Sequence, residues 1–386
     1  MCNFDKLSAY LDSLESQFGV PAADCIITRD HEIIYRHMVG FSDHEKTVPI
    51  AGNEYYYLFS ATKVITMIAA MQLIEQGKLA LEDELRKYLP EFGSMRVSSK
   101  EFPMSMMPSS DADSFLPAKN QIRIVDLMAM MGGLTYDIGS AEIRETIELS
   151  GGKADTREMI KAIAKMPLVF EPGTHWNYSL CHDVMGAVIE VVSGEKFSDY
   201  LKSHIFEPLG ADHIRFTDDS IKAAAMYTCV PGGAIEPIPQ SNMFKLTENY
   251  ESGGAGLMST VDSYSRIIDA LANGGVGANG VRILTEDSIK LFMRGVTDGQ
   301  PLDDYRARFN ASEYRYGHGV RVRCTTAKGR APIGEFGWDG AAGANCVIDP
   351  VNRISVFYVQ HIMNHQEVYS TIHPTVRNLV YECLDV

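Results

Sequence analysis

Phe59-Ser60-Ala61-Thr62-Lys63 opens an apolar run over residues 64–74, and this stretch decides which fold the sequence predicts. The run is apolar on nearly every side of a helix, so the helix that it forms must be buried. Ser60 would lie in the first turn, where unpaired backbone N–H groups and the positive end of the helix dipole favour a developing negative charge. Lys63 would lie one turn further along, beside the Ser60 hydroxyl.

This placement predicts that Ser60 is a nucleophile and Lys63 its base. Burial disfavours the charged form of a lysine, so a neutral amine that can accept the serine proton becomes accessible. The alternative is that Ser60 only caps the helix and that Lys63 reaches solvent. A four-residue pattern is too common to decide between the two, and the choice depends on the rest of the chain.

Strand patterns lie near both ends of the chain, and helical patterns lie between them. A helix is predicted over residues 4–18, and two β-rich runs, 24–28 and 33–37, are separated by a turn at residues 29–31. Near the other end, strands are predicted at residues 314–324, 345–349 and 354–360, and a helix at residues 368–383.

We therefore predict an α/β (α+β) fold, in which both termini form one antiparallel sheet flanked by helices and a mostly helical lobe is inserted between them. The sheet lobe would comprise residues 1–59 and 291–386, and the helical lobe residues 60–290. The active site would lie between the lobes. Residues 94–120 have no periodicity and are predicted to form a long surface loop.

Charge and cysteine usage exclude several classes of partner. The 386 residues hold 35 Lys and Arg against 50 Asp and Glu, a formal charge of −15, which repels nucleic acid and anionic membranes. The seven cysteines form no CxxC pair and are expected to be reduced thiols. The N-terminal residues lack a signal-peptide pattern, and no apolar run approaches bilayer length. We expect a cytoplasmic protein that acts on a small molecule.

Motifs beyond Ser60 and Lys63 resemble a known superfamily. SxxK is the nucleophile motif of class A β-lactamases and penicillin-binding proteins. Four further segments follow in the order of class C β-lactamases and related esterases, so the chain resembles the serine β-lactamase and penicillin-binding-protein superfamily. These segments are residues 72–83, residues 170–179 with Trp176 and Tyr178, residues 253–260, and Phe336-Gly337-Trp338-Asp339-Gly340. In this resemblance SxxK is the first motif, residues 170–179 hold the second, and residues 336–340 hold the third.

The resemblance implies roles for individual residues. Tyr178 would be the third catalytic group, passing a proton between Ser60 and the leaving group with Lys63; the alternative is a core tyrosine with a satisfied hydroxyl. The backbone N–H groups of Ser60 and Ala341 would form an oxyanion hole. The residues expected to contact substrate are Trp338, Asp339, Gly340 and Leu180.

Two departures from the β-lactamase pattern bear on substrate. Leu180 stands where an asparagine is usual, and Trp338-Asp339 stands where Lys-Thr is usual, so a cation that would meet a substrate carboxylate is missing. Asp339 would repel a carboxylate further unless another residue neutralises it. These features, with Asp183-Val184-Met185-Gly186, resemble family VIII carboxylesterases and allied acyltransferases.

The sequence thus predicts a serine hydrolase that forms an acyl-enzyme on carboxylic esters or transfers the acyl group to an alcohol. The alternatives are a β-lactamase or D-alanyl-D-alanine peptidase, and a non-catalytic sensor of an acyl compound or peptide. The resemblance implies no cofactor. No metal is expected, although His361 and His365 are four residues apart, and Cys181 and His182 are expected to serve packing.

Overall fold

Within residues 3–99, 115–327 and 329–385, which the computed structural model describes, the chain forms one seven-stranded sheet, three smaller sheets and thirteen α-helices. Short 3₁₀ turns lie at Phe59–Ala61, Leu85–Lys87 and Pro90–Phe92, and π-helical turns at Lys202–Phe206 and Val368–Ile372. The strands are β1 (Ala22–Arg29), β2 (Glu32–Gly40), β3 (Tyr56–Tyr57), β4 (Arg96–Ser98), β5 (Phe115–Pro117), β6 (Ile214–Phe216), β7 (Met226–Cys229), β8 (Ile235–Ile238), β9 (Leu257–Ser259), β10 (Tyr314–Tyr316), β11 (Arg321–Arg323), β12 (Phe336–Gly337), β13 (Asn345–Asp349), β14 (Ile354–Val359) and β15 (Ile362–Met363). The helices are α1 (Asp5–Asp12), α2 (Leu14–Phe18), α3 (Thr62–Glu75), α4 (Ile124–Met128), α5 (Ala141–Leu149), α6 (Thr156–Ile163), α7 (Cys181–Ser193), α8 (Phe197–Leu201), α9 (Glu207–Leu209), α10 (Val261–Ala272), α11 (Glu286–Phe292), α12 (Gly299–Phe309) and α13 (His373–Leu384).

Both ends of the chain build the largest sheet, as the sequence predicted. Its seven strands lie in the order β10-β11-β12-β13-β14-β1-β2, and all of its pairings are antiparallel. β1 pairs with β14 along its length, so the first strand of the chain lies beside the last strand of this sheet. The β1–β2 turn places Asp30 and His31 at φ of 52° and 70°, the left-handed conformation that two-residue hairpins favour. The predicted fold class is confirmed.

Helices cover the two faces of this sheet because alternate side chains point to opposite faces. On one face, the Tyr264 ring of α10 stacks on Phe357 at 4.4 Å. On the other face, Val356 and Tyr358 lie in a separate apolar cluster with residues of α1 and α13. Helix α10 therefore packs on the sheet although it lies within residues 60–290. The division into lobes at residues 60 and 291 stays our proposal.

Helix α3 is buried on every side, as its apolar pattern predicted. Every residue from Thr62 to Leu73 is buried. The helix packs against α7 within the main apolar core. The 3₁₀ turn Phe59–Ala61 runs directly into it, so Ser60 lies at the start of a helix held in the interior.

Two predictions of local structure differ from what is observed. Residues 314–324, predicted as one strand, form two antiparallel strands, β10 and β11. Gly317 and Gly319 lie between them and turn the chain, and Gly319 has a φ of 84°. The ends of the predicted loop at 94–120 pair as strands β4 and β5, while residues 100–114 lie outside the described residues. Across the described ranges, no helix combines the length and apolar character that crossing a membrane requires.

His361 follows β14 and hydrogen-bonds to strand β3 at Tyr57, two residues before Phe59. Its Nε2 accepts a hydrogen bond from the Tyr57 N–H at 3.3 Å, and its Nδ1 donates to the Ala224 carbonyl at 3.0 Å. Both ring nitrogens are thereby engaged within the fold. Burial lowers the pKa of His361 to about 4, because desolvation disfavours the charged imidazolium, and this outweighs the hydrogen bond to the Ala224 carbonyl.

We predict that the fold loses stability as the pH falls from 6.5 to 4. A histidine whose folded pKa is about 4 contributes stability that is present above the unfolded value of 6.5 and is lost as the pH falls towards 4. At pH 5 the free energy of unfolding should be lower by about 2 kcal/mol because of this one residue. Urea unfolding at pH 7 and at pH 5 measures the free energy of unfolding at each pH. The difference between the two values should be smaller in His361→Gln. Equal pH dependence in the two proteins would contradict the assignment.

Candidate active site

Ser60 is presented by a strained turn at the start of α3. The preceding residue, Phe59, has φ of 44°, a left-handed conformation that is uncommon outside glycine. Such strain persists only where the surroundings hold it, and the Phe59 ring is buried beside the rings of Tyr57 and Phe244. Ser60 itself is 8% exposed. The turn therefore brings the Ser60 hydroxyl to the beginning of a buried helix.

Lys63 is fully buried, so the alternative in which it reaches solvent is excluded. Its Nζ lies 3.2 Å from Ser60 Oγ, 3.3 Å from the Tyr136 hydroxyl and 2.7 Å from the Gly254 carbonyl oxygen. A lysine ammonium has three N–H donors, and these three oxygens can accept one each. Deprotonation of the amine would free a lone pair 3.2 Å from Ser60 Oγ, the geometry that a general base needs.

The glycine-rich segment predicted at residues 253–260 delivers that carbonyl. A side chain at Gly253 would overlap the His182 carbonyl of α7, and a Cβ at Gly254 would lie 2.5 Å from Asp183 Oδ2. Thr66 on α3 donates a hydrogen bond to the Gly253 carbonyl at 2.6 Å. Only glycine lets this segment lie so close to α3 and α7, and the close approach brings the Gly254 carbonyl to Lys63.

Tyr136 belongs to the site, although the sequence argument did not identify it. Its hydroxyl is within hydrogen-bond distance of Lys63, and its ring stacks on Tyr178 with centroids 5.3 Å apart and planes at 10°. Burial raises the pKa of Tyr136 well above its usual value, and neighbouring Tyr178 raises it further. The hydroxyl is therefore a proton donor at neutral pH. Its sequence signal is only the Gly132-Gly133 pair before it, which predicts a turn and no chemistry.

Tyr178 reaches the site in a different contact from the one expected. Its hydroxyl accepts a hydrogen bond from Trp338 Nε1 at 3.1 Å, while Lys63 Nζ lies 4.7 Å from its ring centroid. A cation at that distance from an aromatic ring is attracted by the ring's electron density. Tyr178 thus links the second motif to the third.

The third motif lies against the backbone that precedes Ser60. A side chain at Gly340 would overlap the Leu58 carbonyl, so only glycine allows this approach. The Tyr369 hydroxyl lies within hydrogen-bond distance of two carbonyl oxygens, that of Ala341 at 2.7 Å and that of Gly340 at 2.9 Å, so the Gly340 carbonyl points towards Tyr369. In a trans peptide the next N–H points the opposite way, so the Ala341 N–H points away from Tyr369. Among the described residues this N–H has no acceptor. The geometry supports the oxyanion hole that the sequence predicted, which stays a proposal.

Asp339 is paired within the protein, which corrects the expected repulsion of substrate carboxylates. Arg321 donates to its Oδ1 at 2.8 Å, and Asn345 donates to the same oxygen at 2.5 Å. Although burial alone would raise the pKa of Asp339, the Arg321 guanidinium holds it well below its usual range. Arg321 is the neutralising residue, and its side chain is itself 6% exposed. Asp339 therefore adds little net charge to the cleft.

Leu180 is also placed differently from the prediction. It is 1% exposed and lies in the main apolar core at the start of α7, so the structure does not support direct contact with substrate. The adjacent Cys181 and His182 are buried as predicted for packing residues, and burial raises the pKa of the Cys181 thiol to about 12. A protonated, buried thiol is no nucleophile.

Aromatic rings line both sides of the Ser60 region. On one side Trp338 stacks on Tyr178 at 5.7 Å, and Phe309, which is 43% exposed, meets Trp338 edge-on at 5.7 Å. On the other side Phe244 meets Tyr136 edge-on at 5.3 Å. The surroundings of the nucleophile are therefore apolar and aromatic.

Comparison with known proteins shows what the whole chain is similar to. The family model described as Beta-lactamase matches residues 7–373. Esterase EstB of Burkholderia gladioli is 28% identical over 290 residues, 69% of each chain. A putative D-alanyl-D-alanine carboxypeptidase of Escherichia coli K12 is 26% identical over 372 residues, covering 89% of this chain and 79% of that protein. The solved structure of EstCE1, a hydrolase with promiscuous acyltransferase activity, superposes over 98% of both chains with a TM-score of 0.78 and 24% identity.

The two tyrosine hydroxyls can be tested separately because phenylalanine keeps each ring in its stack. We expect Tyr178→Phe to lose about a hundredfold or more in kcat, the scale of a lost proton carrier. Tyr136→Phe should lose at least about tenfold, because Lys63 loses one of its three acceptors. The kcat of each variant is measured on a neutral aryl ester and compared with that of the wild-type enzyme. If Tyr136→Phe stays within twofold of the wild-type enzyme, the Tyr136 ring only fills space.

Proposed function

This chain belongs to the beta-lactamase family and is a serine hydrolase, and we propose that its substrates are uncharged carboxylic esters. One observation carries the proposal: the indole of Trp338, hydrogen-bonded to Tyr178, stands where the superfamily pattern has a lysine that meets a substrate carboxylate. The nearby cation, Arg321, is buried and already paired with Asp339. It does not replace that lysine in the cleft.

The proposed reaction begins with transfer of the Ser60 hydroxyl proton to neutral Lys63. Ser60 Oγ attacks the ester carbonyl, and the N–H groups of Ser60 and Ala341 stabilise the oxyanion. When the tetrahedral intermediate collapses, the proton passes from Lys63 to the departing alcohol through a tyrosine hydroxyl, Tyr178 or Tyr136. Water, activated in the same way, then releases the acid from the acyl-enzyme. A second alcohol in place of water would give acyl transfer.

The lining of the cleft supports an uncharged acyl group. Phe309 and Phe244 offer ring surface whose burial by an apolar chain is favourable. Trp338 is 7% exposed, and neither it nor these two rings can pair with a substrate carboxylate. Two similar proteins, EstB and EstCE1, are named as an esterase and a hydrolase with acyltransferase activity. Both outcomes, hydrolysis and acyl transfer, follow from the same acyl-enzyme.

A peptidase is the second candidate, because a similar protein from Escherichia coli is named a putative D-alanyl-D-alanine carboxypeptidase. Its substrate would end in a carboxylate, which lacks a cationic partner at Trp338. The chemistry in either case requires a small-molecule ester or amide as the partner.

We also propose a cytoplasmic location, which the six free cysteines of the described residues support, since reduced thiols persist in that compartment.

We predict that kcat/KM on short neutral p-nitrophenyl esters exceeds that on a chromogenic cephalosporin by about ten- to a hundredfold. A charged hydrogen bond to a carboxylate contributes about 1.5 to 3 kcal/mol, so its absence costs the anionic substrate about ten- to a hundredfold, and the ester loses nothing. Because Arg321 neutralises Asp339, we expect no further penalty from that residue.

Two variants establish that the measured turnover belongs to this site. Ser60→Ala should abolish hydrolysis of both substrates, and Lys63→Ala should lose about a hundredfold or more. An efficiency on the cephalosporin equal to or above that on the esters would show that the third motif has been misinterpreted. Near wild-type turnover by Ser60→Ala would overturn the proposed nucleophile.

A further inference from the structure

Asp183 is a buried carboxylate beside the catalytic lysine that the reaction above does not use. It is 1% exposed and lies in the first turn of α7, where the helix dipole stabilises negative charge. Its Oδ1 accepts hydrogen bonds from the Tyr250 hydroxyl at 2.7 Å and the Ser252 hydroxyl at 2.5 Å. No donor among the described residues reaches its Oδ2. A buried carboxylate oxygen without a partner is costly unless a positive charge lies nearby.

The side chain that can carry this charge is Lys63. A Cβ built on Gly254 would lie 2.5 Å from Asp183 Oδ2 and 3.4 Å from Lys63 Nζ. The carboxylate oxygen and the amine nitrogen are therefore within about 6 Å of each other, and because residue 254 is a glycine, no Cβ occupies the space that both atoms border. The same residue, Gly254, supplies the carbonyl that accepts from Lys63.

Three other titratable side chains around Lys63 and Asp183 are neutral near pH 7. Burial raises the pKa of the Tyr136 and Tyr250 phenols well above the usual value, and burial lowers the pKa of His182 to about 3. Tyr178 faces Lys63 with its ring. Asp183 is thus the negative charge that faces Lys63 from the elements packed against it.

We propose that Asp183 is a positioning residue of this hydrolase. Its carboxylate holds the turn at residues 250–254, which fixes the Gly254 carbonyl on Lys63, and it stabilises the Lys63 ammonium that forms when Ser60 gives up its proton. The inference rests on the proposed role of Lys63 as the base.

Asp183→Asn tests the role of the charge, because asparagine keeps the shape and an oxygen that can accept from Tyr250 and Ser252. We expect kcat to fall about ten- to a hundredfold with KM within about threefold, because the interaction acts when Lys63 becomes charged. The neutral amine is favoured once the negative charge is removed. The acid limb of the kcat/KM profile against pH should therefore move to lower pH by about one unit.

Three further measurements keep this outcome interpretable. Titration of Ser60 with a fluorophosphonate probe gives the fraction of functional enzyme, so kcat refers to folded protein. Asp269→Asn is a matched control: Asp269 is also buried, at 3% exposed, and accepts from Thr28 at 2.9 Å on the sheet side of α10, so its loss should leave the acid limb in place. Tyr250→Phe keeps the charge but removes one hydrogen bond to it, and should lower kcat several-fold without moving the acid limb.

An acid limb in Asp183→Asn that coincides with the wild-type limb would overturn the proposal, whatever the loss in rate. If Asp183→Asn is not recovered folded, the acid limb of the kcat/KM profile is measured in Asp183→Ser instead. Independently, a wild-type kcat in Tyr250→Phe would overturn the positioning role. The proposed function fails differently: Ser60→Ala would then retain turnover, which no result on Asp183 can produce.

Discussion

The buried amine of Lys63 is the constraint on which the rest of the site depends. A lysine nitrogen with no access to water must find its hydrogen-bond partners inside the protein, and here they are Ser60 Oγ, the Tyr136 hydroxyl and the Gly254 carbonyl. The need for that carbonyl explains why the segment after Ser252 is rich in glycine, since side chains would keep it from α3 and α7. The apolar surface of α3 explains why the lysine is buried at all. The cost of burying Lys63 is thereby met by the same contacts that place it beside the nucleophile.

The third motif completes the site from the sheet side. Gly340 lets β12 and the following turn lie against Leu58, two residues before Ser60, and Trp338 hydrogen-bonds to Tyr178. Asp339 turns inward to Arg321, which removes both charges from the cleft. What remains near the nucleophile is a set of aromatic rings. The substrate preference that we propose follows from this loss of charge more than from any single new contact.

Features set by local pattern could be predicted from the sequence, and features set by long-range packing could not. The buried helix, the hairpin at Asp30 and the sheet formed by both termini follow from periodicity and turn residues. Ser60, Lys63, Tyr178 and Gly340 were expected from the order of motifs that the chain shares with a known superfamily. Tyr136 and Arg321 come from segments distant in the chain, and no spacing marks them. Asp183 lies in a segment that the resemblance covers, but its position beside Lys63 depends on long-range packing. The single strand predicted at residues 314–324 failed because two glycines outweigh its β-branched and aromatic neighbours.

The most direct test of the account is to trap the covalent intermediate and locate it. The enzyme is mixed with a slowly released neutral aryl ester, quenched in acid during turnover and measured by intact mass, and the modified peptide is then sequenced by tandem mass spectrometry. We expect a mass increase of one acyl group, carried by the Ser60 hydroxyl and absent from Ser60→Ala. An acyl group on another residue, or turnover with no acyl-enzyme even when release is made slow, would contradict it.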